Sequence, residues 1–282
     1  MNGLLIVNKP QGITSRDVVN QICQIYGTKK VGHTGTLDPL ASGVLVLCLG
    51  KATKLVDIIT AESKTYLATI KWGILTDTLD ITGNILKEES KVQDQTLINN
   101  TILSFIGEYE QEVPLYSAVK VNGRRLYDYA RHQQKPELPK KLVKIFDMQI
   151  TNNTQETVTF KATVAKGTYI RSLIRDICQK LDTIGTMQEL VRLEQGSFTI
   201  EEAVNLDQIT AQTPLIPIKR ALSNYEQVII DEELYFKIKN GGKVANFFND
   251  QKAVIIYQNE VIAIYQKDQH DSNLVRPYKM LI

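Results

Sequence analysis

A chain of 282 residues, 43% hydrophobic and 23% charged, is long enough for one large domain or for a domain with a small companion, and its composition is that of a folded globular protein. That composition excludes a disordered chain, and the lack of any run of eighteen apolar residues excludes a membrane-spanning helix. The net charge of +2 conceals an uneven distribution: eight basic residues from Leu115 to Lys144 are offset only by Asp128 and Glu137, and eight acidic residues from Asp77 to Glu112 only by Lys87 and Lys91. An electrostatically two-sided molecule is expected, its basic stretch being either a footprint for a phosphate backbone or a solvated face.

The first predicted element is a short strand over Leu4 to Val7. The apolar run around it is too short for a signal-peptide core and lacks a basic lead, so a cytoplasmic protein is expected. Asn8-Lys9-Pro10-Gln11-Gly12 reads as a turn. Thr14 or Ser15 then starts a helix whose apolar positions Val18, Val19, Ile22, Cys23 and Tyr26 recur at three- and four-residue spacing until Gly27 ends it. Lys29 to Gly43 reads as a long loop rich in Gly, Thr, His, Asp and Pro, supported by a buried strand over Val44 to Leu49. Loops of that length are uncommon inside compact domains and are often functional.

Lys64 to Trp72 alternates as a strand, with Tyr66, Ala68, Ile70 and Trp72 on one face. Further strands are predicted over Val143 to Thr151 and Thr157 to Val164, and helices over Gln95 to Ile106 and Ser172 to Leu181. Helices and strands do not alternate regularly, so the fold class is α+β. From about Tyr225 the pattern changes to short strands. Ala253 to Tyr257 and Val261 to Tyr265 flank a turn at Gln258-Asn259-Glu260, so a small β domain is expected over 226–282, behind a larger domain over 1–225.

Cys23, Cys48 and Cys178 are odd in number, far apart and set among apolar residues, which points to buried reduced thiols. His33, His132 and His270 are dispersed, with no metal-ligand spacing. Gly32-His33-Thr34-Gly35 lacks the Gly-Lys-Ser/Thr ending of a phosphate loop. Neither a metal nor another cofactor is expected.

The loop does hold one isolated carboxylate, in Gly32-His33-Thr34-Gly35-Thr36-Leu37-Asp38-Pro39-Leu40-Ala41-Ser42-Gly43. Asp-Pro alone is as well explained by a turn. The whole string, however, closely resembles the signature around the nucleophilic aspartate of TruB-type pseudouridine synthases. Other segments extend that resemblance: Asn8 to Ser15 is similar to the family's opening motif, with Asn8 where many members carry Asp. Lys64-Thr65-Tyr66 resembles its stacking-tyrosine motif, Lys166 to Leu173 its arginine motif, and Leu190-Val191-Arg192-Leu193 a later pocket segment. Pro114 to Tyr127 resembles an RNA-gripping insertion near 112–141, and the tail resembles a compact PUA-like RNA-binding domain.

The resemblance implies a pseudouridine synthase fold with a mixed central β-sheet flanked by helices. It implies a cofactor-free isomerase that converts uridine to pseudouridine at position 55 in the T loop of tRNA. The substrate partner would be the tRNA T stem-loop, with no membrane, no obligatory protein partner and a monomeric chain. That reaction breaks the bond from uracil N1 to ribose and rejoins the base through C5, so the site must expose a nucleotide from its stack, supply a nucleophile and remove a proton from carbon.

The resemblance gives Asp38 the nucleophile's role and puts Arg171 beside it as the cation that favours a charged carboxylate, although by position alone Arg171 reads as a solvent-facing residue of a first helical turn. Tyr66, otherwise a core aromatic, would stack on the extruded base and handle a proton. Tyr169 and Leu190 would complete the pocket, and Lys9 and Pro10 would support it. His33 would stack within the loop as the target leaves, and Arg124 and Arg125 would grip RNA. Two other readings stand beside this one: a non-catalytic RNA-binding protein that folds tRNA, and a dyskerin-like synthase directed by guide RNA.

Overall fold

The computed structural model describes residues 1–89 and 94–282, so Lys91 of the acidic stretch lies outside the described residues. Strand β1 (Gly3–Lys9) leads into helix α1 (Ser15–Ile25). Thr14 caps that helix by accepting from the Asp17 N–H, while the Asp17 carboxylate accepts from the Thr14 N–H at 2.9 Å. β2 (Val31–His33) and β3 (Ser42–Leu49) follow, then α2 (Val56–Ala61) and β4 (Lys64–Trp72). The hairpin β5 (Ile74–Thr76) and β6 (Ile85–Glu88) precedes α3 (Gln95–Leu103) and β7 (Gly107–Glu112). A second hairpin, β8 (Lys120–Val121) and β9 (Arg124–Arg125), turns through Asn122 and Gly123, both at positive φ, before α4 (Leu126–Arg131). The long strands β10 (Lys140–Asn153) and β11 (Thr157–Val164), α5 (Ile170–Lys180) and β12 (Gly185–Gln195) complete the centre of the molecule.

With the short β13 (Phe198–Thr199) and β14 (Val204–Asn205), these strands form one mixed sheet in the order β14-β1-β3-β12-β4-β11-β10-β7, with β2 on β3 and β13 on β12. The β1–β14 and β3–β12 pairs are parallel; the other pairings are antiparallel. The fold is therefore the expected α+β class with a mixed central sheet. After the short α6 (Ile218–Ala221), the tail builds a separate five-stranded sheet from β15 (Glu226–Ile229), β16 (Val244–Ala245), β17 (Lys252–Tyr257), β18 (Glu260–Lys267) and β19 (Leu274–Met280), with α7 (Glu232–Ile238) after β15. The β17–β18 hairpin turns through Gln258 and Asn259, both at positive φ. No helix among the described residues is long and apolar enough to cross a membrane.

Several sequence expectations change. Lys29 to Gly43 is not loop throughout, because Val31 to His33 pairs with β3, a strand too short to show any periodicity. The helix expected to reach Ile106 ends at Leu103, and the one expected from Ser172 starts at Ile170. The two-sided charge pattern is also corrected. β7 lies beside β10, so Lys140 stands opposite Glu112 and Lys144 opposite Glu108, with Lys144 Nζ 3.3 Å from the Glu108 carboxylate.

β1 and β3 are apolar at consecutive positions because the sheet is buried on both faces. On one face Leu5, Val7, Leu45, Leu47 and Leu49 join α1, α5 and the β4 residues in the main core. On the other, Leu4, Ile6, Val44, Val46 and Cys48 pack with Val254, Ile256, Ile264 and Leu281 of the tail. The expected small β domain has its own sheet but shares a core with the central one. Ile264→Ala is expected to cost about 2–4 kcal/mol of stability. It should also shift the unfolding midpoint followed by fluorescence of Trp72, the chain's one tryptophan, which lies in the opposite core. A Trp72 transition that stays in place would show that the two sheets unfold independently.

Candidate active site

The loop between β2 and β3 is held from below by the turn after β1 and the start of α1. Ser15, at the start of α1, accepts from the Leu37 N–H at 2.8 Å and donates to the Leu37 carbonyl at 3.1 Å. The Gly12 N–H donates to the Pro39 carbonyl at 2.8 Å. Lys9 is fully buried and folds the preceding turn by donating to the Pro10 and Ile13 carbonyls, each at 2.8 Å. Burial pushes the Lys9 ammonium down to about 8; Arg192 acts in the same direction, opposed by Asp38 and Asp17. The Asn8 to Ser15 segment is thus structural support for the loop above it.

From the other side β12 clamps the same loop. Arg192, buried, donates from Nε to the Val44 carbonyl at 2.6 Å and from Nη2 to the Gly35 carbonyl at 3.1 Å. Gln195 donates to the Thr34 carbonyl at 3.1 Å and to the Thr34 hydroxyl at 2.8 Å. The two shoulders of the loop, Gly35 and Val44, are therefore tied to one guanidinium.

Asp38 projects from this loop into contact with Arg171, the second residue of α5. Arg171 Nε lies 2.9 Å from Asp38 Oδ2, while Nη1 donates to the Thr78 carbonyl at 3.0 Å and Nη2 to the Tyr116 carbonyl at 2.9 Å. All three guanidinium nitrogens are engaged. The arginine is 5% exposed, so it is not the solvent-facing residue its helical position suggests, whereas the Asp38 side chain is 35% open. Asp38 Oδ1 has no hydrogen-bond partner among the described residues. The start of α5 lacks a side-chain cap of its own; Gln111 of β7 replaces it, accepting from the Tyr169 N–H at 2.8 Å and donating to the Tyr169 carbonyl at 3.1 Å.

Asp38 and Arg171 share a cavity of about 340 Å³ with Tyr66, Tyr169 and Leu190, a volume suited to a small ring. Tyr66 and Leu190 belong to the main core as well as to the cavity wall. Burial raises the Tyr169 phenol above its usual range, with the neighbouring Ser117 hydroxyl and Arg171 charge opposing and Asp38 adding to the shift. Lys64 lines the cavity with its ammonium turned to the Thr60 and Glu62 carbonyls at 2.6 and 2.7 Å; burial brings it down to about 8, with Arg192 and Lys166 adding to that shift and Glu62 opposing it.

Of the site residues expected from sequence, the structure brings Asp38, Tyr66, Tyr169, Arg171 and Leu190 together. It does not bring His33, Arg124 or Arg125 to the cavity wall. His33 is half-buried on β2, and burial, then the charges of Arg16 and Arg192, lower its imidazole. Arg124 and Arg125 are exposed on the β8–β9 hairpin, where Arg124 lies over the Tyr129 ring at 4.8 Å and Arg125 over Tyr127 at 5.7 Å. Sequence reasoning missed the clamps Arg192, Gln195, Ser15 and Gln111, and the carbonyls of Thr78 and Tyr116. Arg192, a lone charge in an apolar segment, carried a visible signal; Gln111 and the two carbonyls carried none. Among the described residues no group of three or more His, Cys, Asp or Glu is placed to hold a metal.

Residues 23–170 match the profile of the TruB family pseudouridylate synthase N-terminal domain. The chain is 45% identical over 275 residues to a tRNA pseudouridine synthase B from Clostridium tetani, covering 95% of this chain and 93% of that protein. It is 38% identical to one from Bacillus subtilis, covering 100% and 98%. Among solved structures, a chain of an H/ACA ribonucleoprotein bound to a substrate RNA containing 2′-deoxyuridine superposes with a TM-score of 0.74 at 22% identity, over 99% of this chain and 85% of that one. The enzyme is a pseudouridine synthase. Within that class, the chain belongs to the TruB family.

The clamp on the loop can be tested at Gly43, which adopts φ +99° and where an added Cβ would lie 2.3 Å from the Arg192 carbonyl oxygen. Gly43→Ala is expected to destabilise the protein by at least ~2 kcal/mol in urea unfolding, from left-handed backbone strain plus a clash with main chain. An unchanged midpoint would show that this shoulder of the loop is free to move.

Proposed function

We propose that the enzyme isomerises uridine to pseudouridine at position 55 in the T loop of tRNA, with Asp38 as nucleophile. One observation carries this reading: a partly open carboxylate is held at 2.9 Å by a buried arginine with every nitrogen committed, in a cavity walled by Tyr66 and Leu190. A uridine inside a folded loop must leave its stack to reach such a carboxylate. Stacking on an aromatic ring contributes ~1–3 kcal/mol, comparable to the few kcal/mol that extrusion costs. Tyr66 supplies that ring, and its hydroxyl makes no hydrogen bond among the described residues, leaving it available to a proton on the base. Tyr169 adds a polar contact and Leu190 an apolar one. Arg171 pairs with the carboxylate and aims it, and isomerisation consumes nothing, so the reaction as proposed calls for no cofactor.

In the same reading residues 1–225 form the catalytic domain and 226–282 a PUA-like RNA-binding domain. His33 stacks within the loop as the base leaves, and the 112–141 insertion grips the T arm through Arg124 and Arg125. The chain acts in the cytoplasm as a monomer, without a protein partner. The deciding experiment incubates the purified protein with an unmodified T stem-loop and no guide RNA, followed by position-resolved detection of pseudouridine. Absence of product would overturn the proposal.

Two substitutions assign the roles. Asp38→Asn is expected to abolish turnover while leaving RNA affinity within about tenfold, ~1.4 kcal/mol; turnover near wild type would remove Asp38 from the mechanism. Tyr66→Phe keeps the ring and loses the hydroxyl, so it should bind RNA nearly as well as wild type yet react at least ~100-fold slower in single turnover. A wild-type rate would leave Tyr66 as a stacking surface alone.

A further inference from the structure

The cavity wall contains groups that the proposed isomerisation does not use. Four cations line the cavity: Lys64, Lys166, Arg171 and Arg192. Three are committed. Arg171 holds Asp38 and two carbonyls, Arg192 holds the Gly35 and Val44 carbonyls, and Lys64 holds those of Thr60 and Glu62. Lys166 alone makes no hydrogen bond or ion pair with the described residues, and it is exposed at the rim.

Two residues on, Thr168 lines the cavity, and its hydroxyl is buried just behind that wall with no hydrogen-bond partner among the described residues. Buried hydroxyls in native proteins are seldom left unsatisfied, and an exception calls for a missing partner. Between the two lies Gly167 at φ +87°, in front of which a Cβ would meet nothing within 4 Å. The turn from β11 into α5 therefore presents an uncommitted ammonium and an uncommitted hydroxyl around an open stretch of backbone. Among the described residues Asp38 is the one carboxylate on the cavity wall, and it is already paired, so the surplus charge at this rim is positive.

We infer that Lys166 and the Thr168 hydroxyl form a subsite for a phosphodiester that adjoins the target uridine. The inference rests on the RNA-isomerase reading above. A nucleotide that enters the cavity stays attached to its strand on both sides, so its flanking phosphates must cross the rim. An ammonium and a hydroxyl are both donors, as phosphate oxygens require, and a charge-assisted bond to phosphate is among the stronger ones. The subsite holds the strand that flanks the target at the mouth of the cavity. It makes Lys166 and Thr168 substrate-binding residues.

The test uses the full-length protein and T stem-loops that carry either natural linkages or one neutral methylphosphonate, placed 5′ or 3′ of the target uridine. Binding and single-turnover rates are measured separately. Lys166→Ala is expected to weaken binding of natural RNA about tenfold, acting on affinity far more than on the single-turnover rate, with Lys166→Arg restoring most of the loss. Thr168→Val should weaken binding in the same direction by a smaller factor. At one of the two linkages the methylphosphonate should weaken binding to the wild type by a similar factor and leave Lys166→Ala no weaker than before.

Equal affinity of Lys166→Ala and wild type for natural RNA would overturn the inference. So would losses that multiply at both linkages, because Lys166 would then act as a diffuse surface charge. Failure of the wild type to form product would count against the isomerase reading, while the binding measurements would still decide the subsite.

Discussion

A carboxylate set against buried surface weakens the fold unless a cation is paired with it. Arg171 supplies that cation to Asp38, and much of the molecule is arranged around the pair. The guanidinium reaches Asp38 through Nε, which leaves its outer nitrogens for the Thr78 and Tyr116 carbonyls. Three segments that are remote in sequence, the turn after β5, the root of the insertion and the loop before β3, thus meet at one planar cation. Lysine could not substitute, because a point charge lacks the fixed directions that hold three acceptors at once. The insertion is consequently part of the cavity wall as well as an outer arm.

The aspartate's loop is held as firmly as the arginine. β12 supplies Leu190 to the cavity, Arg192 to both shoulders of the loop and Gln195 to its first residue, while Arg192 also stands opposite Tyr66 in the β12–β4 register. The Asp38 loop, Tyr66 and Leu190 are therefore referred to one strand. Arrangements of this kind limit errors in reacting geometry, to which rates are steeply sensitive.

The strands that alternate, such as β4 and β11, and the helix with apolar spacing, α1, were legible from the sequence because their periodicity reports one-sided burial. β12 was not. Met187, Gln188, Glu189, Leu190 and Arg192 favour helix by intrinsic propensity, and shifts of register at Met187/Glu189 and Arg192/Glu194 break the alternation that marks a strand. Only its place between β3 and β4 makes it extended. β7 was hidden likewise, since Glu108, Glu110 and Glu112 read as a solvated acidic run until Lys144 and Arg175 supply partners. For the site, the motif resemblance supplied Asp38, Tyr66, Tyr169, Arg171 and Leu190. Among the groups that orient them, the Thr78 and Tyr116 carbonyls and Gln111 leave no pattern in a sequence.

The shared core behind the central sheet bears on the order in which the chain can fold as it is synthesised. Leu4 and Ile6 of β1 pack in one cluster with Leu281, which is 2% exposed and is made long after them. Leu4 also exchanges backbone hydrogen bonds with Ile216. Synthesis at ~5–20 residues per second therefore leaves the rear of β1 and β3 covered only in part, by Ala52, Leu55, Ile58 and Ile59, for many seconds after the strands themselves exist. During that interval the rest of this apolar face waits for Val254, Ile256, Ile264 and Leu281, which makes it a weak point for aggregation at the ribosome.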